Sequence, residues 1–163
     1  MLYKLCLPVI LILLSGCESQ VSTSSDQTTN RIHYEIGLLK QLISIPASPL
    51  SVKWEINEAK EGGGGSLNVL FEFSEQDKKI IIKGSENFEQ NVDDRIESVF
   101  YTEWLPVETR KQIKTKQSDG VHILTGISAL QPTLFTQAER SPYVNGSITP
   151  LSGGYILVSL YSM

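Results

Sequence analysis

The chain is short of the residue types that carry most covalent and metal chemistry. Its 163 residues include two cysteines and two histidines. Cys6 and Cys17 both lie near the amino terminus, so everything after residue 17 is free of thiol. A domain without cysteine forms no disulfide, presents no thiolate nucleophile and binds no metal through sulfur. Its stability rests on its core, which a chain of this length can bury. His33 and His122 are far apart in sequence and form no H-E-x-x-H pair. A zinc site would need carboxylates as its other ligands. G-x-S-x-G is absent, and no serine has a lysine three residues later. The glycine run Gly62–Gly65 lacks the Lys and Ser/Thr of a P-loop and reads as a loose hairpin connection. Positive charge is also scarce: 14 Lys and Arg face 18 Asp and Glu, for a net charge of −4. Such a balance suits neither nucleic acid nor an anionic lipid surface. The sequence therefore predicts no cofactor, no metal site and no nucleic-acid partner.

What is present begins with an export pattern. Lys4 supplies a positive start, residues 5–14 are apolar, and Ser15 and Gly16 precede Cys17. The apolar run is far below the roughly 20 residues of a membrane-spanning helix. It has the length and flanks of a secretory signal. Leu14-Ser15-Gly16-Cys17 resembles the lipobox of bacterial lipoproteins. That resemblance implies that Cys17 takes a diacylglyceryl group on sulfur and that cleavage before it makes Cys17 the first mature residue. It also implies a lipid anchor, with a second acylation at the new amino terminus. One acyl chain binds a bilayer only reversibly, whereas two or three hold firmly. Glu18 stands where an Asp often retains Gram-negative lipoproteins in the inner membrane, so the resemblance favours the outer membrane. It covers the export segment alone.

Residues 18–29, ESQVSTSSDQTT, are rich in Ser and Thr, with Val21 the lone aliphatic residue. They cannot bury enough apolar surface to offset their ordering entropy and read as a flexible tether. At about 5–6 Å times the square root of its length, it would hold a domain roughly 20 Å from the bilayer. The expected organisation is a signal peptide at 1–16, a lipidated cysteine and tether at 17–29, and one globular domain at 30–163.

Within that domain Ile32, Ile36, Leu39 and Ile43 form one helical stripe, which predicts a helix over 30–44 capped by Asn30. A competing alternation runs through Ile32, Tyr34, Ile36 and Leu38. Residues 51–56 and 67–73 alternate as half-buried strands. Ser74 and Asp77 are spaced as in a capping box before a short helix closed by Gly84, although Ile80-Ile81-Ile82 would also suit a strand. Residues 96–104 are β-rich in composition, and Pro106 opens a helix reaching about residue 116. Asp119-Gly120, Asn145-Gly146 and Ser152-Gly153-Gly154 are turn signals. Residues 121–130 look extended, 132–138 hold a helical turn, and 155–161 read as a central strand. Together these predict a single α+β domain. Its sheet is mainly antiparallel, of four to six strands, with two or three helices on one face.

Candidates for chemistry are sparse. Glu55, Glu72 and Glu103 each sit on an expected strand beside aromatics, and carboxylates brought together in a cleft could do acid–base work. Asp93-Asp94 reads as a solvated face. Trp54, Phe71, Phe73, Phe100, Tyr101 and Trp104 gather on the middle strands, and Tyr143, Tyr155 and Tyr161 are candidates for an interface. The functional expectation is a membrane-anchored envelope lipoprotein. It would act as an interaction or accessory module, meeting a protein or envelope component at a sheet edge or aromatic patch. A small inhibitor or immunity-type lipoprotein and a hydrolase using dispersed carboxylates are the alternatives.

Overall fold

The computed structural model describes residues 32–57, 64–90 and 92–162. The expected signal peptide, the lipobox with Cys17 and the tether lie outside these residues. The described chain is α+β, as the sequence predicts, with two antiparallel sheets.

The first sheet contains strands β1 (Ser51–Asn57), β2 (Ser66–Glu72), β6 (Asn145–Pro150) and β7 (Tyr155–Tyr161) in the order β1-β2-β7-β6. The second contains β3 (Asp93–Glu97), β4 (Lys114–Ser118) and β5 (Val121–Ser128) in the order β3-β5-β4. Successive strand residues point to opposite faces. On one face of the first sheet lie Trp54, Val69, Val158 and Ile148, aligned across all four strands. With Phe71, Phe73 and Ile156 they meet Leu39 and Ile43 from the α1 region (Ile36–Leu42), Ile81 of α2 (Glu75–Gly84), and Phe135 from the 130–143 loop. Leu70 and Leu157 point to the opposite face, against Ile96, Leu124 and Ile113 of the second sheet region and the rings of Phe100 and Trp104. The result is three layers: helices, a four-stranded sheet and a three-stranded sheet.

Local chemistry explains several elements. Ser74 caps α2, its hydroxyl accepting from the Asp77 N–H at 3.0 Å, so the helical reading of the three isoleucines is correct. Asp119 (φ 47°) and Gly120 (φ 79°) close the β4–β5 hairpin with the left-handed pair that two-residue loops require. β2 and β7 are apolar throughout toward the helices and present Leu70 and Leu157 toward the second sheet, so the pair is covered on two sides.

Four expectations need correction. α1 begins at Ile36 with Glu35 at its N-cap position, short of the expected 30–44 span, and Asn30 lies outside the described residues. Upstream of α1, His33 forms a two-way backbone bridge to Trp54, at 2.8 and 3.0 Å, along the edge of β1. Residues 100–104 form a π-helical turn rather than a strand, bringing the tilted rings of Phe100 and Trp104 to 4.2 Å between centroids. The turn brings the two rings into contact, whereas a strand would hold residues four apart on one face but about 13 Å from each other. The helix after Pro106, α3 (Val107–Gln112), stops early because Lys114–Ser118 pairs with β5. Asn145-Gly146 begins β6 instead of making a turn. A Cβ on Gly146 (φ 141°) would sit 2.0 Å from the Ser159 carbonyl oxygen, so β6 approaches β7 there only through glycine.

Phe71 is fully buried and stacks near both Phe73 and Phe135. Phe71→Ala is expected to reduce unfolding free energy by about 3–5 kcal/mol, and Ser74→Ala by about 1 kcal/mol. Urea titration followed by circular dichroism measures both.

Candidate functional site

The second sheet covers only part of the face it packs against. Leu70, Leu157 and Thr149 align across β2, β7 and β6 and are buried. Two residues along the strands, the next row is entirely polar: Glu55, Asn68, Ser159 and Ser147 stand side by side on β1, β2, β7 and β6. Cross-strand neighbours of this kind place their Cβ atoms about 5 Å apart. Asn68, Ser159 and Ser147 are half-buried, and they floor a cleft between the two sheets. One lobe encloses about 370 Å³ beside Phe88, Val92 and Tyr161. A second, of about 200 Å³, opens beside Arg95 and Phe100. The lobes share Ser66, Asn68 and Ser159.

Asp94 enters this cleft because β3 and β5 change register between Asp93 and Arg95. Such a bulge bends the strand and re-aims its side chains. The Asp94 carboxylate is 8% exposed and receives hydrogen bonds from the Thr149 hydroxyl and, at 2.8 Å, from the Arg95 backbone N–H. Burial raises its pKa above the usual carboxylate range, opposed by hydrogen bonds from Thr149, Arg95 and Ser147. The expectation that Asp93-Asp94 forms a solvated face holds for Asp93 alone. Glu55, also 8% exposed, accepts from the side-chain amides of Asn57 at 3.3 Å and Asn68 at 3.5 Å. Among the described residues neither Glu55 nor Asp94 has a Lys or Arg within ion-pairing distance.

The three glutamates singled out in the sequence do not converge. Glu55 belongs to the polar row. Glu72 is paired in register with Ser51 at the other end of the sheet, accepting its hydroxyl at 2.6 Å. At about 3.3 Å per residue, the four steps from Asn68 to Glu72 separate these carboxylates by roughly 13 Å along the strand. Glu103 is exposed on the π-helical turn, not on a strand. The aromatics divide as well: Trp54, Phe71 and Phe73 serve the helix-side core, while Phe100 and Trp104 serve the other. Tyr143 is buried, Tyr155 half-buried and Tyr161 exposed at the cleft. Each histidine stacks on a ring, His33 on Trp54 at 4.2 Å and His122 on Tyr101 at 4.1 Å. No group of three potential metal ligands occurs among the described residues.

Sequence reasoning missed Asp94, Asn68, Ser147 and Ser159. Two of them leave a trace. Asn68 and Ser159 interrupt the otherwise apolar runs LNVLF and YILVSLY, where a strand buried on both sides has no use for polarity. A larger hollow of about 700 Å³ beside Lys40, Ser44 and Arg140 is open to solvent, and none of its lining polar side chains is buried. The chain matches no known protein family, no curated protein and no solved structure.

Asp94 also makes a pH signature. A carboxyl whose pKa is raised by folding binds its proton more tightly in the native state. Its contribution therefore becomes less favourable as pH rises from about 4 through the folded value. Asp94→Asn removes that dependence, so its stability relative to the parent is expected to increase between about pH 4 and pH 7. Thermal unfolding of the two proteins across this range measures the difference; a constant offset would refute it.

Proposed function

We propose that the chain is a lipid-anchored protein of the bacterial cell envelope, acting as a binding or accessory module through the cleft between its sheets. The observation that carries the anchor is Leu14-Ser15-Gly16-Cys17, placed at the end of the apolar run 5–14 that follows a positive start. The Ser/Thr-rich residues that follow and the net acidic charge agree with it, since an acidic chain gains nothing from anionic headgroups and would be held by acyl chains instead. No described helix is long and apolar enough to cross a membrane. The support for binding is the cleft itself: a concave surface with apolar walls and a few polar groups converging on its floor is the usual form of a ligand site.

Cys17→Ala is expected to abolish incorporation of labelled fatty acid and to move the protein out of the membrane fraction or leave it unprocessed. Labelling of intact cells followed by fractionation tests this. Intact mass of the purified wild-type chain is expected to give an amino terminus at Cys17 with added acyl mass. Labelling that persists in the variant would overturn the anchor.

A further inference from the structure

The polar row is at odds with the fold around it. β2 and β7 are the central strands of their sheet, and on the face toward the second sheet Leu70 and Leu157 form an apolar pair one row from Asn68 and Ser159. Apolar side chains at Asn68 and Ser159 would continue the core of Leu70 and Leu157 and let the sheets close further. Instead Glu55, Asn68, Ser159 and Ser147 line up across the sheet, and the bulge in β3 adds Asp94 beside them. A polar floor that holds the sheets apart beside an open cleft points to a ligand.

The chemistry narrows the class. Of the two carboxylates Asp94 is the one that lines the cleft, and once ionised it accepts hydrogen bonds only, so a bound group must donate to it. Neither carries a cationic partner among the described residues. Arg95 at the rim is exposed and stands two residues from Glu97, so the site does not favour an anion. The hydroxyls of Ser147 and Ser159 and the amide of Asn68 each donate and accept. A wholly apolar ligand would strip this floor of water and leave it unsatisfied, at about 1–3 kcal/mol per group. The walls are different: Phe88, Val92 and Tyr161 present rings and methyl groups. The fitting molecule is neutral, with hydroxyls along its edge and an apolar face. A sugar ring has this form.

We propose that the cleft is a saccharide-binding site. Asn68, Ser159 and Ser147 hydrogen-bond ring hydroxyls, Asp94 accepts from them, and Phe88 and Tyr161 cover the apolar face of the ring. This rests on the reading of the protein as an envelope binding module and specifies what that module binds.

The test uses the full chain in lipid nanodiscs with neutral tetrasaccharides built from glucose, galactose, mannose and N-acetylglucosamine, and a neutral tetrapeptide as control. Saturation-transfer NMR detects binding and calorimetry measures it. At least one saccharide is expected to bind. Ser159→Val and Asn68→Leu are each expected to weaken it at least tenfold; Ser159→Val is expected to unfold no earlier than the parent, since it extends an apolar strand, whereas Asn68→Leu also removes a donor to Glu55. Phe88→Ala is expected to weaken binding at constant fold, and Lys40→Ala, on α1, to leave it unchanged. No saccharide bound at millimolar concentration, equal affinity in the floor variants, or binding of the peptide alone would each overturn the proposal. Binding does not depend on acylation of Cys17, so failure of the anchor and failure of this site are read separately.

Discussion

Burial of the β2–β7 pair on both faces governs this molecule. One face of the pair gives Val69, Phe71, Ile156 and Val158 to the helices, and the other gives Leu70 and Leu157 to the second sheet. Without the helices or without the second sheet, a large apolar surface would meet water at about 25 cal/mol per Å². The helices, the π-helical turn and the second sheet are therefore held in place by one pair of neighbouring strands. Its backbone ladder runs in unbroken register from Ser66–Tyr161 to Glu72–Tyr155.

That constraint gives the cleft its meaning. A layer covering the whole sheet would need an apolar row at every level. The second sheet has three strands, and its inner strand positions carry Ile96 and Leu124 over Leu70 and Leu157. Beyond them the contact changes from hydrocarbon to hydroxyl, amide and carboxylate. Asp94 and Thr149 mark the transition, because their hydrogen bond links the two sheets at the last buried level. The energetic tension is local: a carboxyl that would rather be solvated is held inside by three donors.

Much of the architecture was legible because it follows from short-range pattern. Alternation located β1 and β2, and a nearly continuous apolar run located β7. The Ser74–Asp77 spacing located α2, and Asp119-Gly120 located a hairpin. The misreadings share a cause: a local pattern compatible with two structures was decided by a distant partner. Residues 114–118 carry little apolar signal and become a strand only because β5 offers them a ladder. Residues 100–104 have strand composition, yet the core beneath them takes Phe100 and Trp104 in contact with each other, which the wide spacing of a strand would not allow. The site was less legible still. Glu55, Asn68, Ser159 and Ser147 are scattered between positions 55 and 159 and become neighbours through register, which no single segment encodes. Asp94 depends on a bulge and looked like any surface aspartate.

The edges of the sheets bear on how such a protein would meet a partner. An unpaired strand edge is a ready template for another chain. In the first sheet the outer side of β1 is occupied at Trp54 by His33, and that of β6 at Ile148 by Leu130, each through a pair of backbone hydrogen bonds. Trp54 reinforces the first of these, since its indole stacks on His33 and its Nε1–H donates to the Glu35 carbonyl at 2.8 Å. In the second sheet β4 carries Lys114 and Lys116 on an exposed edge, and β3 is short and bulged. Lysines, bulges and short strands are the usual means of discouraging strand addition. A strand docking on the first sheet would have to displace existing bridges, and one docking on the second would meet charge or irregular backbone. Recognition through side chains in the cleft requires neither, which shifts the balance from a sheet edge to the row that the edges enclose.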